Sequence, residues 1–338
     1  MDGLTFKAAK PTAQDTVSIP KSVKRGTTVT SSDEIFKILT IVLATSIIVI
    51  VALTIYVLVK GSLPVWAKFG ISFITGTGWD PNINIFGVFP YILGTVITAG
   101  IAIIIGVPIS LGIAIFLAEM APSFVKTILS NVIDLLAAVP SVIYGLWGLF
   151  VFKVWVVNLI ETPLSTNFGT TIPVFSGTPF GLDFLTAGLI LTIMVIPTIS
   201  AISREVILAV PWSQREAAYS LGATRWETTR LAVLSYARSG IFGATILGLG
   251  RAVGETMAVT MVIGNATGAF AMPKSLFGPG QTLASIIANE FNEADPATLH
   301  PAALIGAGLV LFMLAAAINI FAVLLVTRIL RVKGRSIE

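Results

Sequence analysis

Arg251 and Glu255 stand four residues apart in GLGRAVGETMAV, Gly248 to Val259, within one of the most apolar parts of a 338-residue chain. On a helix the two would lie one turn apart. Two kinds of chemistry are open to them. They can neutralise each other, or pair across to a second subunit, and so hold helices in register. Alternatively the guanidinium supplies a fixed positive charge to a passage for an oxyanion, its planar fork matching the oxygens, while Glu255 keeps the empty site neutral. Arg before Glu is the weaker order for a helical pair, so pairing alone does not decide between these readings. Ala244, Gly248, Gly254 and Ala258 follow at helical spacing, with Leu247 at the edge. Small residues let a neighbouring helix approach closely, so this stripe is expected to pack on protein or face a cavity rather than lipid.

Most other chemistry is excluded by composition. There is no cysteine, which removes disulfides, thiolate nucleophiles and cysteine metal sites together. His300 is the sole histidine, so a Ser-His-Asp relay or a histidine metal centre is not expected, and His300 is read as a loop residue. An intramembrane protease would need a histidine or a second well-placed aspartate in an apolar run. No G-x-x-x-x-G-K-[ST] loop occurs, so any ATP hydrolysis belongs to another chain. No catalytic, metal or bound-cofactor residue is assigned.

The elements that carry these residues follow from hydropathy. Apolar residues make up 55% of the chain and charged ones 11%, far below the roughly one quarter of a soluble domain. About 20 apolar residues of helix cross a bilayer. Six runs of that length occur, approximately 35–59, 90–117, 128–157, 184–209, 241–264 and 302–330. They predict an all-α membrane protein of six transmembrane helices. If the fifth enters the bilayer near Gly240, Arg251 lies roughly 16 Å in, where a charge facing lipid costs at least about 2.5 to 3.5 kcal/mol. Pro140, among Asp134, Ser141 and Tyr144, is expected to kink the third run, and Pro197 to do the same in the fourth.

Six crossings put both termini on one side. That side collects most of the basic residues, Lys21, Lys24, Lys126, Arg204, Arg230 and Arg331 among them, against Lys60, Lys68, Lys153 and Lys274 opposite. The asymmetry makes the first side cytoplasmic. Residues 1–34, polar and lacking a signal-peptide core, read as a disordered cytoplasmic tail, 35–332 as the membrane domain and 333–338 as a second short tail. The three outer connections, rich in Gly, Pro, Asn and aromatic residues, read either as a docking surface or as plain connectors.

Between the fourth and fifth runs lies PWSQREAAYSLGATRWETTRLAVLSYARSG, residues 211–240. Ser213 and Glu216 have the spacing of a capping box, predicting a short helix over Gln214 to Leu221 that Gly222 ends. Thr224 and Glu227 repeat the spacing, predicting a second helix that leads into the fifth run. Ala217 and Ala218 leave one side of the first helix open to close approach, framed by Arg215, Glu216, Arg225 and Glu227. An amphipathic helix resting on lipid headgroups would have a similar composition.

Glu216-Ala217-Ala218 followed by Gly222 resembles the EAA loop of ATP-binding-cassette importer permeases. REAAYSLGATRWETTR, ARSGIFGATILGLGRAVGETMAV, LLAAVPSVIYGLWG and FGVFPYILGT together resemble the PstC-type permeases of phosphate-specific importers, over residues 35 to 332. The resemblance implies the type I importer permease fold with both termini cytoplasmic, in the bacterial cytoplasmic (inner) membrane. It implies a heterodimer with a PstA-type permease, two ATPase subunits carrying ATP and Mg, docked through Arg215, Glu216, Ala217, Ala218, Gly222, Arg225 and Glu227, and a periplasmic or extracellular phosphate-binding protein. Arg251 and Glu255 would line the substrate passage. A permease for sulfate or molybdate, a PstA-type subunit, and a stand-alone transporter or channel are the alternatives. One departure is visible: the EAA pattern usually closes in Leu-Pro, and here Ser235 follows Leu234, which leaves the second helix free to continue.

Overall fold

The computed structural model describes residues 31–331, which divide into two units, the first ending at Leu53 and the second beginning at Thr54. The first unit is the opening part of helix α1 (Ser31–Phe69), and every side chain from Glu34 to Leu53 is exposed. A helix apolar on all sides is stable in that state only where lipid or other protein surrounds it. Of the tail expected over 1–34, residues 31–34 belong to this helix; residues 1–30, and the tail expected over 333–338, lie outside the described residues.

The second unit contains α2 (Phe89–Met120), α3 (Ser123–Ala138), α4 (Ser141–Phe168), α5 (Phe184–Leu208), α6 (Trp212–Ser220), α7 (Arg225–Gly254), α8 (Met257–Val262), α9 (Leu283–Glu290) and α10 (His300–Arg331). Helices α1, α2, α4, α5, α7 and α10 are long and apolar enough to cross a membrane, the number the hydropathy predicts. Two of the predicted runs are placed differently. The third is cut at Val139 and Pro140, both extended, so residues 123–138 form a separate helix and the span is α4. Proline lacks the N–H that would continue the helix, and it biases the residue before it toward extended backbone. The fifth begins at Arg225 rather than Ile241 and ends at Gly254. Pro197, by contrast, sits inside α5 without breaking it.

Helix α5 is the centre of this unit. Two thirds (67%) of its most apolar window is buried, against 11% for α10, so α5 positions whatever packs on it. Ile190, Leu191, Met194, Val195 and Ile199 meet Ala99 and Ala102 of α2 and Ala244 and Ala252 of α7 in one cluster. Close packing depends on glycines at these contacts. A Cβ on Gly106 would come within 2.9 Å of Val195, and one on Gly248 within 2.5 Å of Ile199.

At the N-terminal end of α5 the connections build a second core. A two-stranded antiparallel hairpin, β1 (Trp79–Asp80) and β2 (Ile85–Phe86), brings Trp79 and Phe86 edge-on to each other, 5.0 Å between centroids. The hydroxyl of Tyr91 in α2 accepts from Gly268 N (3.0 Å), and Thr95 Oγ1 from Leu283 N (3.0 Å), fastening the 263–282 connection to α2. His300 does not lie in a loop as expected: it starts α10, is buried, stacks on Phe86 and contacts Glu290 Oε2 at 2.8 Å, an oxygen that also accepts from Trp79 Nε1. A buried imidazole requires such a partner, and the carboxylate here is already fixed by the indole.

Candidate functional site

The helix carrying Arg251 stops three residues later. Glu255 is extended (φ −69°, ψ 127°), Thr256 also lies outside the helix, and α8 restarts at Met257. Arg251 and Glu255 are therefore not one turn apart on a continuous helix, which corrects the sequence expectation. No ion pair joins them: among the described residues the ion pairs are Arg204 with Asp134 and Glu205, Arg215 with Glu119, and His300 with Glu290. Gly254 has no neighbour within 4 Å of where a Cβ would lie, so glycine leaves room at the break.

Each charge has its own partner. Arg251 Nη1 donates to Thr198 Oγ1 at 3.0 Å, and Glu255 Oε1 accepts from Ala258 N at 3.3 Å, meeting one of the unpaired amides at the start of α8. Both side chains are half-buried. Thr198 lies roughly 20 Å from the first residue of α5 and about 15 Å from its last at 1.5 Å per residue, so Arg251 is held near mid-span. A guanidinium has five donors; one is engaged by Thr198, and the others make no hydrogen bond to the described residues. The Arg251 guanidinium offsets the negative end of α7 and keeps donors free beside the break, so the positive charge, and not the exposed carbonyls, is what could attract an anion there.

The small residues divide. Ala244, Gly248 and Ala258 are buried, Gly248 on Ile199 and Ala258 on Gly145 of α4, as expected for a packed stripe. Gly254 is exposed, and a Cβ there would meet none of the described residues within 4 Å. The helix breaks after Gly254, and the buried small residues resume at Ala258 in α8.

The 211–240 segment folds as two helices around a glycine turn. Gly222 adopts φ +80°, a conformation that glycine accepts without strain, and ends α6. The second capping box forms: Glu227 N donates to Thr224 Oγ1, and Thr224 N donates to Glu227 Oε2 at 2.8 Å. The first does not. Helix α6 starts one residue ahead of Ser213, with Pro211 before it and no side-chain cap from Ser213 or Glu216. Glu216, Ala217, Gly222, Arg225 and Glu227 are exposed, Ala218 partly so, and Leu221 at the tip is 89% exposed.

Arg215 departs from its expected place. It is buried, donating to Glu119 Oε1 (2.7 Å), Val210 O (2.6 Å) and Ile207 O (3.1 Å), with the Trp212 ring over the guanidinium. The free carbonyls at the C-terminus of α5 attract a cation, and Arg215 supplies it. A cleft of about 430 Å³ opens beside this contact, lined by Glu119, Trp212, Arg215, Tyr219 and Arg225.

Sequence reading missed Thr198, Glu119 and a buried acid pair, Glu161 and Asp183, both 0% exposed. Asp183 caps α5 by accepting from Thr186 N (2.8 Å), and Glu161 accepts from Gly181 N (3.2 Å). Burial pushes the Asp183 carboxyl up to about 8, and the Glu161 carboxylate adds to the shift. A lone acid at each end of an apolar run was the available signal.

A broken span with a mid-depth arginine, two glycine-linked helices ahead of it and six apolar helices define a multi-pass membrane protein of the transport type. The chain belongs to the binding-protein-dependent transport system inner membrane component family, which residues 110–331 match. It is similar to the phosphate transport system permease protein PstC of Haemophilus influenzae, 45% identical over 306 residues that cover 90% of this chain and 96% of that one. A protein of the same name from Mesorhizobium japonicum is 42% identical over 84% of this chain and 86% of its own. The probable PstC of Methanocaldococcus jannaschii is 36% identical over 81% and 89%. Among solved structures, a bacterial ABC transporter involved in the import of the acidic polysaccharide alginate shares the fold, with a TM-score of 0.52 at 14% identity, over 88% of this chain and 99% of that one.

Proposed function

We propose that this chain is the PstC-type permease subunit of an ATP-driven importer of inorganic phosphate. The observation that carries the reading is alignment over 90% of this chain with a phosphate transport permease at 45% identity. The permease is itself no catalyst. ATP and Mg are held by two ATPase subunits that dock on α6, the Gly222 turn and the start of α7, where Glu216, Ala217, Ala218, Arg225 and Glu227 lie at the surface. The basic residues near the α6 end make that end cytoplasmic, in the cytoplasmic membrane, and the hairpin end then meets a phosphate-binding protein. A PstA-type permease completes the passage opposite Arg251.

At the break between α7 and α8, Arg251 offers its uncommitted donors to the phosphate oxygens, and Thr198 fixes its direction. Glu255, held by Ala258 N, leaves the guanidinium unpaired yet keeps the local net charge near zero. Such an arrangement binds an anion without trapping it, which passage requires. Arg251→Gln in the full complex is expected to abolish phosphate uptake into proteoliposomes while the subunits still co-purify. Uptake at the wild-type rate would remove Arg251 from the passage. In the same assay unlabelled phosphate is expected to compete, and sulfate or molybdate not; competition by either of the latter reassigns the anion.

A further inference from the structure

The sequence places Arg215 on the docking surface, yet its side chain turns inward and joins three elements. Through Glu119 it holds the π-turn that ends α2, and through the Ile207 and Val210 carbonyls it holds the C-terminal end of α5. Its backbone belongs to α6, whose other face is exposed. Both charged partners are nearly buried, 7% and 11% exposed, so water does little to screen the pair. From Ile207 the unbroken α5 leads back to Thr198, roughly 14 Å along the helix, and Thr198 holds Arg251.

Resting on the reading of α6 as the ATPase-docking helix, we propose that Arg215 is a positioning residue that ties α6 to α2 and α5, so that a displacement of α6 reaches Arg251 through α5. Lysine cannot replace it. A single ammonium reaches Glu119 or the carbonyls, whereas the planar fork reaches both at once. Glu216, Ala217 and Ala218 decide whether the ATPase binds; Arg215 decides whether the movement is passed on.

The chain has no native cysteine, so Gly254→Cys at the exposed break serves as a reporter in the full complex. Trapping nucleotide on the ATPase with vanadate is expected to change its alkylation rate by about fivefold or more, a coupling of ordinary size. With Arg215→Lys added, the change should fall below about 1.5-fold while the ATPase co-purifies in undiminished amount. Glu119→Gln, which leaves α6 untouched, should also lose most of the response, and the two changes together should do no more than Arg215→Lys alone. A wild-type response in either variant overturns the proposal. So does loss of the ATPase from the purified complex, which makes the contact one of folding or docking. Uptake is not read here, so a wrong substrate would leave this result standing, whereas failure of the uptake assay alone would leave the tie intact.

Discussion

Burial decides the protonation state of Asp183. Its carboxyl group, 0% exposed and beside that of Glu161, keeps its proton up to about 8 because burial disfavours the charged form. The nearby cation, Lys153, contributes its backbone oxygen and Cβ to the wall at Gly181 but directs its ammonium over the Phe180 ring. In the unfolded chain Asp183 would ionise near 3.8, so the folded state holds the extra proton between that value and about 8. The stability is therefore fully present in acid and is lost as pH rises through that window. The thermal midpoint of the detergent-solubilised protein is expected to fall by several degrees from pH 5 to pH 8. Asp183→Asn, which still accepts from Thr186 N but cannot ionise, should flatten that slope; an unchanged slope would show that Asp183 does not titrate with folding.

Between elements, the Tyr91 and Thr95 hydroxyls of α2 hold backbone amides of the 263–282 connection and the start of α9, and the close approach this imposes leaves little tolerance at Gly94. A Cβ on Gly94 would meet Gln281 O at 2.1 Å and the Phe184 ring at 3.1 Å, and the carbonyl cannot move without dragging the Thr282 cap of α9. Gly94→Ala is expected to cost about 1–3 kcal/mol or more through overpacking, read as a drop in the thermal midpoint. Gly100→Ala, with open space around the same helix, should leave the midpoint unchanged or raise it slightly through helix propensity, and an equal drop at both positions would refute the contact. Such specificity explains how far the sequence could be read. Six spans, the Gly222 turn and the Thr224 cap were legible because composition, a positive-φ position and a capping box are each local properties, whereas at Pro140 a kink was expected and the helix is cut. The break at Glu255 was not, because no proline or glycine pair marks it after Gly254, and Arg251 takes its partner, Thr198, from a helix 53 residues away. Arg215 misled for the same reason: its neighbours in the chain are exposed, and Glu119, which pulls it inward, lies 96 residues away.

For the second unit as a whole, chemistry is divided between two ends of α5. One end carries the hairpin, the aromatic cluster with His300 and the 263–282 connection; the other carries α6, the Glu119 contact and the cleft beside it. Arg251 lies between them, so the direction of transport depends on which end faces the cytoplasm. In the proposed orientation the α6 end, with its excess of Lys and Arg, faces the inside. The naturally cysteine-free chain permits a direct measurement. Thr127 in α3 and Thr171 after α4 are both exposed, the first near the α6 end and the second in the loop that packs toward Ser275 and Phe277. A membrane-impermeant maleimide added to intact cells is expected to label Thr171→Cys at once and Thr127→Cys only after the membrane is opened. The reverse pattern would place α6 and its exposed alanines outside, where no ATP-hydrolysing partner could reach them, and the docking role would fall with the orientation.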